Sequence, residues 1–142
     1  MFKTIVVGHD GSSNAGPALE LARSLALRDA SRVLVMYVVE FTSGRGGNYP
    51  VHADEPQARA RLEEEVRALI AEGINAELVV CPTASSGPAH VIADAAKDAN
   101  ADLIVVASRG RSALAQVVVG GVSVRLLHLA HCPVLVAQSP KH

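Results

Sequence analysis

Residues 101–123, ADLIVVASRGRSALAQVVVGGVS, indicate the fold class because they join three local patterns in one short piece of chain. Residues 102–108 form a continuous apolar run, which is typical of a strand that is buried on both faces. A loop with glycines follows, and residues 120–130 then predict a helix. A buried strand that leads through a glycine loop into a helix is a repeating unit of α/β sheets.

The same alternation continues on both sides of this stretch. Apolar runs predict four more strands, at 4–8, 32–40, 75–80 and 132–138. Helical spacing of apolar residues predicts three more helices, at 12–30, 57–73 and 85–100. The run at 75–80 is the weakest and is expected at a sheet edge, whereas 102–108 is expected near the centre. We therefore predict a doubly wound, five-stranded parallel α/β sheet with helices on both faces, in one domain over residues 1–142.

The segment between the second strand and the second helix differs in kind. Residues 41–56 are glycine-rich and polar and show no periodicity, so we predict a long surface loop there. Its glycines suit either a mobile lid or a flexible connection, of which the connection is the simpler interpretation. Ser12 or Ser13 is expected to cap the first helix. The buried stripe of the second helix is predicted at Leu62, Val66, Leu69 and Ile70.

Composition excludes several classes of protein. The formal net charge of -1 argues against a general nucleic-acid-binding protein, which would carry a basic face. The longest purely apolar run has seven residues, 33–39, far too few to span a membrane, and residues 1–11 lack the features of a signal peptide. Two cysteines, Cys81 and Cys132, make no disulfide framework, so we expect a reduced, cytoplasmic setting.

Ligands of such sheets bind beyond the carboxyl ends of the strands, and residues 8–12 follow the first strand there. Asp10 is suited to hold a base or a ribose, and it is equally suited to cap the helix or close an Asx turn. His9 suits a general base, although an ordinary loop histidine is the plainer interpretation. The sequence GHDGSS is neither a Walker loop nor a dinucleotide fingerprint, since it lacks a lysine and enough glycines.

The second candidate loop follows the strand at 102–108. Its chemistry-bearing residues are Arg109, Gly110, Arg111, Gly120, Gly121 and Ser123. Free N–H groups at the start of the next helix, together with the helix dipole, would make an anion site. Close packing of a helix on the sheet also uses glycines, but the combination with arginines and a serine favours phosphate.

A zinc site is a further possibility that the sequence raises and then disfavours. His128 and His131 lie three residues apart on a predicted helix, and Cys132 follows. A zinc ion could use such a trio of ligands. The sequence offers no matching second cluster, so we expect no metal site.

Three segments together resemble the universal stress proteins in their short, single-domain form: IVVGHDGSSNAGPALELA, LIVVASRGRSALAQVVVGGVS and VRLLHLAHCPVLVA. The resemblance covers nearly the whole chain. It implies a Rossmann-like sheet of the adenine nucleotide α-hydrolase type, with strand order 3-2-1-4-5. It also implies a homodimer in which the last strands, here Pro133 to Ala137, meet across the two-fold axis.

One branch of that family binds ATP through the pattern G-x-x-G, nine residues, then G-[S/T]. The resemblance implies that Asp10 and a backbone position at Val38 would hold the adenosine. It implies an ATP site, with Mg²⁺ as a candidate companion ion, at the following positions: Gly8, His9, Asp10, Val38, Ala107, Arg109, Gly110, Gly120, Gly121, Val122 and Ser123.

This sequence departs from the ATP-binding pattern twice. Ala107 stands in place of the first glycine, where its methyl group would matter if the backbone must be bare or must adopt a positive φ. Gly121 stands in place of the Ser/Thr and loses a hydrogen bond worth roughly 1.5–3 kcal/mol with a charged acceptor. That loss corresponds to about ten- to a hundredfold in affinity. We expect weakened rather than abolished binding.

Three functions compete. The first is an ATP- or adenine-nucleotide-binding stress-response sensor or switch, a homodimer with slow hydrolysis at most. The second is a nucleotide-free universal stress protein that acts as a dimeric interaction module, which the departures at Ala107 and Gly121 favour. The third is an adenylate-forming enzyme of the related α-hydrolase group. The third ranks last because residues 8–13 contain no glycine run that would grip phosphates.

Overall fold

A computed structural model describes residues 1–83, 86–108 and 121–138. In chain order the elements of this part of the chain are β1 (Thr4–His9), α1 (Gly16–Asp29), β2 (Arg32–Val39), β3 (Phe41–Gly44), β4 (Gly47–Pro50), α2 (Glu55–Ala71), β5 (Asn75–Pro82), α3 (Pro88–Asp98), β6 (Leu103–Ala107), α4 (Gly121–Leu129) and β7 (Val134–Ala137). A short 3-10 turn, Ser13–Ala15, precedes α1.

Five parallel strands form one sheet in the order β5-β2-β1-β6-β7. With the short pair β3 and β4 set aside, this is the predicted order 3-2-1-4-5. The weak run that became β5 lies at one edge, and β6 lies inside the sheet, as predicted. The central strand β1 lies between β2 and β6, so the chain leaves the middle of the sheet at the carboxyl end of β1.

Helices cover both faces of the sheet, because alternate residues of each strand point to opposite sides. On β2, Val33, Val35 and Tyr37 pack into one core layer with α1 and α2. The intervening Leu34, Met36 and Val38 pack into a second layer with α3 and α4. Strands that are apolar at every position are therefore required, which is why these strands read as continuous apolar runs.

Residues 41–56 were predicted as a long surface loop; they lie at the surface, but they contain an antiparallel hairpin that was not predicted. Strands β3 and β4 pair from Phe41↔Pro50 to Gly44↔Gly47, and Gly46 and Gly47 adopt positive φ at the turn. Nearly every residue of the pair is exposed on both faces. A ribbon that buries neither face has no need for alternating hydrophobicity, so the sequence carries no period-2 signal.

Two details of the helices also differ from the predictions. Neither Ser12 nor Ser13 caps α1, whose N-cap residue is Ala15, because the 3-10 turn separates the serines from the helix. Ile70 is 52% exposed and lies outside the buried stripe of α2, which includes Ala58 instead. Among the described residues, no helix combines the length and the apolar character that crossing a membrane would require.

Candidate functional site

The two candidate loops leave neighbouring strands at the same end of the sheet. Strand β1 ends at His9, where its last paired partner is Tyr37 of β2. Strand β6, on the other side of β1, ends at Ala107. Because the strands are parallel, residues 10–12 and the start of the segment after Ala107 both lie at the carboxyl edge, where ligands of doubly wound sheets bind.

Asp10 closes an Asx turn directly after β1. Its Oδ1 accepts the Ser12 N–H at 2.9 Å and the Ser12 hydroxyl at 2.6 Å. The Asx-turn alternative for Asp10 is therefore correct, and the alternative of a helix cap is wrong because α1 starts farther along the chain. The turn thus orients a half-buried carboxylate at the carboxyl edge of the sheet.

His9 is a buried strand residue rather than a loop histidine. It is the last residue of β1 and is 5% exposed. The Nδ1 atom accepts the Gly11 N–H at 2.9 Å, which assigns the proton of the neutral ring to Nε2. The ring therefore helps the chain to turn out of the sheet after β1, and one of its nitrogens is engaged with the backbone.

The direction of the main chain at Val38 follows from the hydrogen bonds at the two ends of β2. Polar groups of successive strand residues point to opposite edges. Arg32 donates its N–H to the Lys3 carbonyl beside β1 at 2.8 Å. The Val39 carbonyl accepts the Thr83 N–H on the β5 side at 2.9 Å. The N–H and carbonyl of Val38 therefore face β1.

The ladder between β1 and β2 stops where Val38 would continue it. The pairing ends at His9↔Tyr37, and the N–H of Gly11, which would extend the ladder, donates to His9 Nδ1 instead. The Val38 carbonyl consequently points past the end of β1, toward the turn at Asp10. A carboxylate and a main-chain carbonyl thus lie one position beyond the last pair of the two central strands.

Ser123 connects the start of α4 to the end of β6. It is 1% exposed, and its hydroxyl donates to the Ala107 carbonyl at 2.9 Å. Ala107 is itself a strand residue paired with Ala137, and it is not among the described residues with positive φ. The hydroxyl proton of Ser123 is thus engaged within the chain, whereas the first-turn N–H groups of a helix have no intrahelical acceptor.

The other predicted site residues divide into three groups. Gly8 is buried in β1, and a Cβ there would lie 2.8 Å from Ile92 Cδ1, so this glycine allows α3 to pack closely on the sheet. Gly121 and Val122 form the first turn of α4, and a Cβ on Gly121 would meet no atom of the described residues within 4 Å. The remaining predicted phosphate contacts, Arg109, Gly110 and Gly120, lie outside the described residues.

Metal ligation and thiol chemistry find little support in the described part of the chain. No three histidine, cysteine or acidic side chains come together there in an arrangement that could hold a metal ion. Both cysteines are half-buried and unpaired. Burial raises the pKa of the Cys81 thiol, and burial together with the nearby Asp102 raises that of Cys132. Both thiols are therefore poor nucleophiles at neutral pH.

Tyr37 is a residue of this region that the sequence did not single out. It is 1% exposed and lies directly beneath Gly11, where an added Cβ would be 3.0 Å from Tyr37 Cε1. Gly11 itself has a φ of +85°. A tyrosine inside an apolar run is typical of a buried strand, so the sequence gives no sign of a role at the site. Its contact with Gly11, on a separate segment, is what places it there.

Comparison with known proteins agrees with the fold. A statistical model of the universal stress protein family matches residues 1–138. The chain is 33% identical to universal stress protein Sll1654 of Synechocystis sp. over 138 residues, 96% of this chain and 85% of that protein. It is 34% identical to universal stress protein YxiE of Bacillus subtilis over 151 aligned positions, which cover 97% of this chain and all of YxiE.

Solved structures show the same architecture at lower identity. Universal stress protein UspA from Lactobacillus plantarum superposes with a TM-score of 0.77 at 23% identity, over 95% of this chain and 97% of its own. A universal stress protein from Archaeoglobus fulgidus in complex with dAMP gives 0.70 at 24% identity, over 95% and 97%. Since the family match extends over residues 1–138 and two relatives at 33% and 34% identity align along nearly the whole chain, this protein belongs to the universal stress protein family.

Proposed function

We propose that this universal stress protein binds an adenine nucleotide, with ATP as the first candidate, and acts as a homodimeric sensor or switch of the cytoplasmic stress response. Hydrolysis, if it occurs, is slow. The observation that carries the proposal is the paired arrangement of Asp10 and Val38 beyond the last pair of β1 and β2. Solved relatives support it, since one is a complex with cAMP and another a complex with dAMP.

Adenosine fits the chemistry of these two residues. Its ribose hydroxyls can donate hydrogen bonds to a carboxylate. Ser12 holds the Asp10 carboxylate in a defined orientation. The exocyclic amine of adenine can donate a hydrogen bond to a main-chain carbonyl, and the Val38 carbonyl points toward the turn at Asp10. A guanine base presents a carbonyl oxygen at that position of its ring instead. The pair therefore favours adenine over guanine.

The start of α4 is the proposed phosphate contact. Main-chain N–H groups of Gly121, Val122 and Ser123 belong to the first turn of a nine-residue helix, where the helix dipole favours an anion. The Ser123 hydroxyl is proposed as an anchor to Ala107 rather than as a phosphate donor, because its proton is already donated. Arg109, Gly110 and Gly120 remain predicted contacts of the same phosphates. Mg²⁺ would arrive with the triphosphate and be held by its oxygens.

The two departures from the ATP-binding pattern differ in how strongly they argue against ATP binding. Ala107 has the extended backbone of a strand, so no positive φ demands a glycine there. Gly121 offers no hydroxyl, and nothing described lies near the position of a Cβ that would carry one. The absence of that hydroxyl is therefore the observation that favours the second candidate function, a nucleotide-free dimeric interaction module.

A thermal-melt titration with Mg-ATP tests the proposal, with GTP and AMP as comparison ligands. Ligand at a hundred times its dissociation constant should stabilise the protein by about 2.7 kcal/mol, which is several degrees for a chain of this size. We expect a saturable shift with ATP that exceeds the shift with GTP. Asp10→Ala should reduce it. No shift at millimolar ATP, with nucleotide-free protein, overturns the proposal and leaves the interaction module.

Gly121→Ser provides a gain-of-binding test. No atom in the described part of the chain lies within 4 Å of a Cβ at this position, so the serine should restore a hydrogen bond to phosphate and tighten ATP binding by about tenfold or more. Gly121→Ala is the matched control, since it adds the Cβ without the hydroxyl and should leave the affinity close to that of the wild type. Equal affinities for the serine and alanine variants would contradict the assignment of phosphate to this helix start.

A further inference from the structure

Beneath the Asp10 turn lies a polar network, buried except at its arginine, that the proposed nucleotide contacts do not include. It consists of Tyr37 on β2 and of Glu55 and Arg59 on the first turns of α2. Tyr37 is 1% exposed and Glu55 is 6% exposed. A phenol and a carboxylate buried to this extent require partners, because an unpaired buried polar group is costly.

Each member of the network holds the next. Arg59 donates to Glu55 Oε1 through Nε at 2.7 Å and also lies 2.6 Å from it through a terminal nitrogen. The same Oε1 lies 3.5 Å from the Tyr37 hydroxyl, a long hydrogen bond. The Arg59 guanidinium lies over the Tyr37 ring, 5.9 Å from its centroid, within range of a cation–π interaction. The ring is thereby contacted at its hydroxyl by Glu55 and on one face by Arg59.

The ring and α2 together support the turn at Asp10 from below. A Cβ placed on Gly11 would lie 3.0 Å from Tyr37 Cε1, 3.2 Å from the Tyr37 hydroxyl and 3.2 Å from Ala58 Cβ. The main chain at Gly11 therefore rests on the ring with no space between them. Gly11 stands between Asp10 and Ser12, the two residues of the Asx turn, so the ring sets the position of the turn.

We propose that Tyr37, held by Glu55 and Arg59, is a positioning residue that places the Asp10 carboxylate for the ribose of the bound nucleotide. The inference rests on the proposed nucleotide function. It assigns to the start of α2 a part in binding although none of the proposed nucleotide contacts lies on α2. Removal of the ring should let the turn move. The Asp10 carboxylate would then be oriented for a hydrogen bond to the ribose in a smaller fraction of the conformations of the turn.

Hydrogen exchange at two amides tests the positioning without any nucleotide. The Gly11 N–H donates to His9 Nδ1 and the Ser12 N–H donates to Asp10 Oδ1. In Tyr37→Leu, both amides should exchange about tenfold faster or more, because the turn opens locally. Tyr37→Phe keeps the ring and should have a smaller effect. Val33→Ala, a fully buried change on the same face of β2 at its other end, is the control and should leave these two amides unaffected.

Nucleotide affinity gives the second reading. Tyr37→Leu should weaken ATP and adenosine alike by about tenfold, the effect of roughly one charged hydrogen bond, and should leave inorganic tripolyphosphate binding unchanged. In an Asp10→Asn background the same substitution should weaken ATP much less, because the two residues act as one unit. Val33→Ala should lower the melting temperature and leave the affinities unchanged.

The outcomes separate this inference from the proposed function. A wild-type protein that binds no adenine nucleotide overturns the proposed function. Unchanged exchange at Gly11 and Ser12 in both Tyr37 variants overturns the positioning role, whatever the nucleotide result. Faster exchange with a full loss of ATP affinity that persists in the Asp10→Asn background also overturns it, since Tyr37 would then act by another route.

Discussion

Two glycines of the candidate site, Gly11 and Gly121, differ in whether the structure requires a glycine at their position. Gly11 has a φ of +85° and lies against Tyr37, so both the backbone conformation and the space require a residue without a Cβ. Gly121 has neither requirement, since its φ is not left-handed and a Cβ would meet nothing described within 4 Å. Two glycines of one candidate site thus have opposite tolerance to substitution.

We expect Gly11→Ala to lower the free energy of unfolding by about 1–3 kcal/mol, because an alanine is strained at positive φ and meets the Tyr37 ring. Gly121→Ala, the matched control, should raise it by about 0.4–1 kcal/mol, because an alanine restricts the unfolded chain at a position whose conformation it tolerates. Urea unfolding followed by circular dichroism measures both. Similar effects of the two substitutions would show that the Gly11 turn relaxes without cost.

Asp102 is a second residue whose chemistry has a measurable consequence. Its Oδ2 accepts the main-chain N–H groups of Lys3 at 2.7 Å and Thr4 at 2.8 Å, so it fastens the start of β1 to the loop before β6. The two hydrogen bonds, with that from Thr4 the stronger influence, lower the pKa of Asp102 below its usual value. The charged carboxylate therefore stabilises the folded state.

A lowered pKa in the folded state means that the stabilisation is present above the pKa of the unfolded chain, about 3.9, and is lost as the pH falls through the folded-state pKa. We expect Asp102→Asn to reduce the free energy of unfolding at neutral pH and to make its decline below about pH 4 less steep. Urea unfolding at several pH values measures this. Asp98→Asn, on the exposed side of α3, is the control. Parallel acid profiles for wild type and Asp102→Asn would contradict the prediction.

At the scale of elements, burial explains which patterns the sequence displays. Strands β1, β2 and β6 are buried on both faces, so they appear as continuous apolar runs that were predicted within a few residues. The hairpin of β3 and β4 buries neither face and left no such trace. Its two ends are close together, since the Val51 N–H donates to the Glu40 carbonyl at 2.8 Å.

The hairpin should therefore be dispensable for stability. Replacement of residues 41–50 by Asn-Gly, which closes a two-residue turn between Glu40 and Val51, should change the free energy of unfolding by less than about 1 kcal/mol. Ile92→Ala on α3, only 3% exposed, should in contrast cost about 2–5 kcal/mol. Thermal and urea unfolding measure both variants. A cost for the shortened hairpin as large as that of Ile92→Ala would mean that the ribbon packs in solution.

In the molecule as a whole, the five-stranded sheet has two edge strands, β5 and β7. Within the described residues, β7 pairs with β6 alone and β5 pairs with β2 alone. Leu135 on β7 and Val80 on β5 are equally exposed, at 38% each. The proposed homodimer uses the β7 edge, residues 133–137, where unpaired main-chain groups and an exposed leucine are available to a second copy.

We expect Leu135→Lys to convert a dimer into a monomer at micromolar concentration, because a lysine at an edge opposes strand association. Val80→Lys is the matched control at the opposite edge and should leave the dimer intact. Sedimentation equilibrium or light scattering measures the masses. A dimer that survives Leu135→Lys and dissociates with Val80→Lys would assign the interface to β5, and a monomeric wild type would remove the dimer from the proposed function.

Local pattern was informative about the candidate site only in part. The sequence drew attention to Asp10 as the polar residue that follows a buried strand, but it left open whether the carboxylate closes a turn. The distance to Ser12 decided this, because an Asx turn depends on geometry over two residues and not on residue type alone. Val38 and Tyr37 lie in a continuous apolar run. The residue types of that run do not indicate which way the Val38 carbonyl points or which segment packs on Tyr37.

The α/β class, the places of the buried strands and, through the motifs, the family follow from local features of the chain. These properties depend on burial along one element, which period and composition record directly. Three features of the site emerge only from the packed fold: β1 stops one position short of Val38, Ser123 donates to Ala107, and Tyr37 supports Gly11. Each of these joins residues from separate elements, and the packing of those elements, rather than any local preference, sets the distances between them.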